Sequence, residues 1–227
     1  QYSPIETVGD KIYLFTNQDA PKGKLMVTDI KHPGIDEWKT IVPESDDVLE
    51  SITFTAGGKM ILTYMKDACS HAYLYTTEGK RLNEIKLPSV GSAGFHSDKD
   101  QTEVFYSFSS FTTPGTIYRY DAGTNSSQVY SAPKVKFNAS DYVTEQVFVP
   151  SKDGTKVPLF ITYKKGLKRN GKNPVYLYAY GGFNVSMTPY FSSTRIPFLE
   201  KGGIYAQASL RGGGEYGEEW HLAGTQM

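Results

Sequence analysis

Lys11-Ile-Tyr-Leu-Phe-Thr-Asn17, Lys59-Met-Ile-Leu-Thr-Tyr-Met65 and Glu103-Val-Phe-Tyr-Ser-Phe-Ser109 are three versions of one short run, rich in aromatic and β-branched residues. Their starts lie 48 and 44 residues apart (59 less 11, and 103 less 59). Each is followed by a turn and a second alternating run, at Lys24 to Asp29, Ala72 to Thr76 and Thr116 to Asp121. Each second run leads to a third, at Trp38 to Val42, Leu82 to Leu87 and Ser127 to Tyr130. A further run precedes the second and third copies, at Leu49 to Thr55 and Val90 to His96. Short strands that alternate in polarity, grouped in fours at a period of about 45 residues, are the pattern of β-propeller blades. A β-sandwich is the competing reading of this half.

From Asp141 onward the period is lost. Tyr142 to Val149 and Val157 to Tyr163 predict a hairpin around Asp153-Gly154, where glycine supplies the turn. Val175-Tyr-Leu-Tyr-Ala-Tyr180 is apolar or aromatic throughout, as a strand covered on both faces should be. A helix is expected from about Pro189 to Lys201, closed by Gly202-Gly203, and then a second covered strand from Ile204 to Leu210. Strand, helix, strand at this spacing predicts a βαβ unit in an α/β sheet. The expected organisation is therefore propeller blades over residues 1–135 and the opening strands of an α/β domain over residues 136–227, with the border between 133 and 141.

Composition narrows the function classes. Lys and Arg total 24 and Asp and Glu total 24, so no net basic field draws in nucleic acid or an anionic membrane. No apolar run reaches the roughly 18 residues of a membrane span, and Gln1 to Ile5 carry no charged start before an apolar stretch. The single cysteine, Cys69, reads as a small half-buried side chain without metal-ligand neighbours. Asn125, Asn138 and Asn184 open N-x-Ser/Thr sequons, which matter only in a secreted protein.

Two turns follow the apolar strands, and in open α/β sheets working groups gather at the carboxyl ends of strands. In the first, Tyr180-Gly-Gly-Phe183, the glycines allow a sharp turn and close ligand approach beside a phenol and an apolar ring. An uncharged phenol donor aimed at the oxyanion of an acyl-transfer intermediate is worth roughly 3 kcal/mol, or about 100- to 1000-fold in rate. Phe183 suits a flat ring such as that of proline. That these aromatics only pack stays open on residue chemistry alone, in a chain with 17 tyrosines.

In the second turn, Arg211-Gly-Gly-Gly-Glu-Tyr-Gly217, the glycines Gly212, Gly214 and Gly217 match the G-x-G-x-x-G spacing of dinucleotide sites. Such a site needs an acidic residue about 20 positions on. The sequence runs only 10 residues past Gly217 (227 less 217), so Arg211, Gly212, Gly213, Gly214 and Glu215 read better as a structural loop near the site. No G-x-S-x-G occurs, and Ser92 in Gly91-Ser-Ala-Gly94 lacks its spacing. His32, His71 and His96 read as surface or loop residues, and His221 falls in the wrong chain order for a hydrolase base. Nothing resembles a metal or cofactor site, and no cofactor is expected.

Ser151-Lys-Asp-Gly-Thr-Lys-Val-Pro158, Tyr178-Ala-Tyr-Gly-Gly-Phe-Asn184 and Arg211-Gly-Gly-Gly-Glu-Tyr-Gly-Glu-Glu-Trp-His221, in this order, resemble the prolyl oligopeptidase family of serine peptidases. The resemblance implies the last blades of a seven-bladed propeller joined to an α/β-hydrolase, with the active site between them. It implies that Tyr180 helps form the oxyanion hole, that Phe183 lines the proline pocket, and that serine, aspartate and histidine lie beyond Met227. The implied reaction is cleavage of short peptides after proline through an acyl-enzyme, by a monomeric cytoplasmic protein whose propeller excludes large folded proteins. A related oligopeptidase cutting after basic residues and a non-catalytic propeller scaffold are the alternatives. By itself, the 227-residue chain is expected to hydrolyse nothing.

Overall fold

The computed structural model describes residues 2–225 and contains four sheets of four strands each. The first is β1 (Tyr2–Val8), β2 (Lys11–Thr16), β3 (Lys24–Asp29) and β4 (Lys39–Val42). The second is β5 (Val48–Thr55), β6 (Lys59–Lys66), β7 (Cys69–Thr76) and β8 (Arg81–Ile85). The third is β9 (Ser92–His96), β10 (Val104–Ser109), β11 (Thr116–Asp121) and β12 (Ser126–Ser131). In each, sequential strands pair antiparallel, so each repeat is one up-and-down blade.

β1 is a strand the repeat pattern did not reveal. Pro4 and the polar Ser3, Glu6 and Thr7 hide the alternation, and a register shift between Pro4 and Glu6 accommodates the proline on an edge strand. Blade packing follows the period-2 alternation of the central strands. Met60, Leu62 and Tyr64 of β6 face Tyr13, Leu25 and Val42 of the first blade. Ile61 faces the other way, joining Leu74 and Ile85 in a core with Phe95, Val104, Tyr106, Phe108 and Tyr120 of the third. The second blade is thus buried on both sides.

The fourth sheet contains β13 (Tyr142–Pro150), β14 (Lys156–Lys164), β15 (Val175–Tyr180) and β16 (Ile204–Ser209), in the order β13-β14-β16-β15. β13 and β14 form the expected hairpin in unbroken register, and β15 runs parallel to β16 as a βαβ unit requires. Two expectations are corrected here. The helix is only α1 (Ile196–Glu200), entered through a 3-10 turn at Ser193–Arg195, and Pro189 to Ser192 form an arm without regular structure. That arm is tied to the third blade: Ser92 Oγ donates to the Pro189 carbonyl at 2.8 Å, and the Phe191 N–H donates to Ser109 Oγ at 3.0 Å.

The second correction concerns β15, which is not a covered strand. It ends the strand order, with β16 its only strand neighbour among the described residues, and every one of its residues is exposed, Leu177 at 64%. β16, between β14 and β15, is the covered one.

The two halves share a core. Ala68, Cys69 and Phe111 from the blades pack with Tyr142, Phe160, Ile196, Leu199 and Tyr205. Phe111 is the centre of that contact, with its ring 5.4 Å from Phe160 and 5.6 Å from Tyr205. Cys69 is buried rather than half-buried, and burial, followed by the nearby Asp67 charge, pushes its thiol up to about 12. Such a thiol is inert at neutral pH. Asp67 itself bridges the halves: its carbonyl accepts from Gln146 Nε2 at 2.5 Å, and its carboxylate from the Tyr216 hydroxyl at 2.8 Å.

Candidate functional site

β15 and β16 end side by side, with Tyr180 opposite Ser209 in the parallel ladder, so the loops that follow them meet. They meet through glycine. A Cβ on Gly181 would lie 2.5 Å from the Arg211 carbonyl oxygen, and one on Gly212 (φ +98°) 2.5 Å from the Gly181 carbonyl oxygen. Any side chain at either position would force the two backbones apart.

Past this contact the first loop turns sharply. The Val185 N–H donates to the Gly182 carbonyl at 3.1 Å, closing a turn whose central residues, Phe183 and Asn184, have φ of +53° and +58°. Asparagine tolerates the left-handed region, but for phenylalanine it is strained and costs of order 1–3 kcal/mol. The consequence is exposure: the Phe183 ring is 87% accessible, and Tyr180 beside it 38%. The Tyr180 hydroxyl folds back over the turn, 3.8 Å from where a Gly182 Cβ would stand. The first turn therefore offers a phenol O–H and a projecting aromatic ring at the carboxyl edge of the sheet.

The second loop is occupied by protein contacts. Arg211 forms an ion pair with Asp153 and donates to Ser151 Oγ at 3.2 Å, linking the loop to the β13–β14 turn. A Cβ on Gly214 would meet Asn184 Oδ1 at 2.7 Å, and one on Gly217 the Pro21 carbonyl of the first blade at 2.8 Å. Each of the three glycines of the dinucleotide-like spacing thus sits at contact distance from neighbouring chain. His221, on α2 (Glu218–Leu222), lies with Nδ1 2.9 Å from the Gly212 carbonyl and belongs to the same packing. Among the described residues no three His, Cys, Asp or Glu side chains come together as a metal set, and no helix is long and apolar enough to cross a membrane.

Beneath the first loop lies a polar layer of which sequence reasoning singled out Glu215 alone, as part of the glycine loop. Gln207, Ser209 and Glu215 are each fully buried. All three bond the loop's far end: the Met187 N–H donates to Glu215 Oε1 at 2.8 Å, while its carbonyl accepts from Gln207 Nε2 at 3.2 Å and Ser209 Oγ at 3.3 Å. The signal was present in Ile204-Tyr-Ala-Gln-Ala-Ser-Leu210, where two polar residues interrupt a covered strand.

Residues 1–133 match the family model described as "Prolyl oligopeptidase, N-terminal beta-propeller domain", and residues 189–227 match the "Prolyl oligopeptidase family" model. A prolyl endopeptidase of Elizabethkingia meningoseptica is 50% identical over 98% of this chain and 31% of its own length, and one of Dictyostelium discoideum is 37% identical over 99% and 31%. A structure from a study of two prolyl endopeptidases superimposes with a TM-score of 0.92 at 43% identity, over 98% of this chain and 33% of the other. Prolyl oligopeptidase B from Galerina marginata, bound to a 35mer hydrolysis and macrocyclization substrate, gives 0.91 at 35% identity over 98% and 32%. The chain thus spans about a third of the length of the relatives it matches.

Proposed function

This chain belongs to the prolyl oligopeptidase family of serine peptidases, and from that membership we propose that it serves within a longer protein that cleaves short peptides on the carboxyl side of proline. The serine, aspartate and histidine of that protein lie outside these 227 residues, in which no G-x-S-x-G occurs. Residues 1–135 contribute propeller blades and residues 136–227 the first strands of the hydrolase domain, with the uncovered face of β15 as the seat for further elements of that domain. The 227-residue chain alone turns over no peptide.

One observation carries the proposal: an exposed phenol at the carboxyl end of a parallel strand, beside a strained turn that projects a phenylalanine. In the reaction, serine attacks the proline's own carbonyl carbon, and histidine takes the serine proton and gives it to the amine that leaves as the amide bond breaks. Tyr180 donates its O–H to the oxyanion that forms, and Phe183 lies against the proline ring. A proline ring brings no N–H to that face, so an apolar wall leaves nothing unpaired.

The test is kinetic, on the whole protein. Tyr180→Phe keeps the ring and removes one donor, so kcat should fall by about 100- to 1000-fold while KM changes little. Full kcat on several proline substrates would remove Tyr180 from the oxyanion hole. Faster cleavage after arginine than after proline would overturn the substrate class.

A further inference from the structure

The turn at Phe183 and Asn184 is strained, and a strained loop persists only where its surroundings over-determine it. At its near end the Asn184 N–H donates to the Gly212 carbonyl at 3.0 Å. At its far end every polar group of the Met187 backbone is taken by a buried side chain. Glu215 is the most costly of these anchors. It is fully buried, Oε2 has no hydrogen-bond partner, and the nearby Trp220 indole N–H is given to the Leu210 carbonyl at 3.1 Å instead. Burial consequently pushes its carboxyl up from the usual carboxylate range.

A buried carboxyl with one oxygen unpaired is an expensive way to fill space, because an apolar side chain of similar size avoids the desolvation cost. What the carboxyl adds is a strong acceptor for backbone N–H groups, that of Met187 first among them. The fit around it is tight. A Cβ at Gly213 would fall 2.2 Å from Glu215 Oε2 and 2.8 Å from the Val185 carbonyl oxygen, so the side chain is wedged between its own glycine loop and the loop carrying Phe183.

We infer that Glu215 is a positioning residue for the proline pocket: through Met187 it fixes the loop that holds Phe183 in its projecting, left-handed conformation. The inference rests on the reading of Phe183 given above. Gln207 and Ser209 hold the same residue from its carbonyl side and share the task.

The experiment uses the whole protein and two amide substrates that differ only in proline or alanine on the acyl side, read as the ratio of their kcat/KM values. Phe183→Ala sets the scale by removing the wall itself. Glu215→Ala should lower the ratio by about tenfold or more, since small misplacements of a positioning group cost rate steeply. Glu215→Gln keeps a carbonyl oxygen for the Met187 N–H and should restore the ratio nearly to that of the unaltered protein. Hydrogen exchange in Glu215→Ala should quicken over residues 183–187 and stay slow in β16.

A purely stabilising residue would lower the unfolding midpoint and leave the ratio alone in the folded molecules. That result, with Phe183→Ala still collapsing the ratio, overturns the inference and spares the pocket. An unchanged ratio in Phe183→Ala overturns the pocket reading and the inference with it. Should Glu215→Ala fail to fold, Ser209→Ala removes one of the two bonds to the Met187 carbonyl. It is expected to lower the ratio partway, and an unaltered ratio there overturns the inference equally.

Discussion

β6 and β15 are nearly interchangeable as strings of letters: Met-Ile-Leu-Thr-Tyr-Met against Val-Tyr-Leu-Tyr-Ala-Tyr. In the fold they are opposites. β6 is central in its blade, with a neighbouring blade against each face, and its residues from Met60 to Met65 are all buried. β15 is last in its sheet and exposed along its whole length. An apolar run specifies that a strand forms and that it needs cover. What supplies the cover is a matter of neighbours: those of β6 are repeats within this chain, whereas among the described residues β15 meets only the edge of α1, where the Phe198 ring lies 6.5 Å from that of Tyr176.

The largest effect is expected where the two regions join. Phe111 reaches from the third blade into the core of the fourth sheet and is 1% exposed. Phe111→Ala should cost roughly 3–5 kcal/mol, and because it breaks the shared core it should split urea unfolding of the chain into two transitions. A single transition with unchanged midpoint would mean that the halves are coupled elsewhere, as through Asp67 and Tyr216.

Next come the strands themselves. Leu62→Ala in β6 opens a cavity between two blades and should cost about 2–5 kcal/mol. Leu177→Ala in β15 removes a side chain that is already 64% exposed and should stay within about 0.5 kcal/mol in the same urea titration. Equal losses at the two sites would show that β15 finds cover in solution, through self-association of its bare face, and dilution would then separate the two values.

The same contrast explains what could be read from the letters. Blade strands announce themselves by repetition, and hairpins by Asp153-Gly154. Only β1, masked by Pro4 and three polar residues, escaped notice. The sharp turn after Tyr180 and its close approach to the glycine loop were legible because paired glycines mark turns and tight backbone contacts. The helix from Pro189 was not, because the segment's aromatic pattern suits an arm lying on a blade as well as it suits a helix face. Nor was the anchoring of Met187 by Gln207, Ser209 and Glu215, which depends on three segments meeting in space.

The smallest expected effect concerns an ion pair on the rim between the hairpin and the glycine loop. Asp153 is held down to about 2, first by the Thr155 N–H at 3.0 Å and then by the Arg211 guanidinium. A carboxylate whose folded value is depressed contributes stability above its ordinary value of 3.8, and that contribution is lost as pH falls toward 2. Asp153→Asn should therefore be slightly less stable than the unaltered chain at pH 5 and above, and the gap should close between pH 4 and pH 2. Its side chain is 49% exposed, so salt should shrink the gap further. Arg211→Gln sharpens the point. Because the larger cause is the hairpin's own amide, the Asp153 carboxyl should still titrate below 3.8 by carbon NMR after the guanidinium is gone. A full return to 3.8 would make the ion pair, rather than the turn, the reason that this aspartate stays charged.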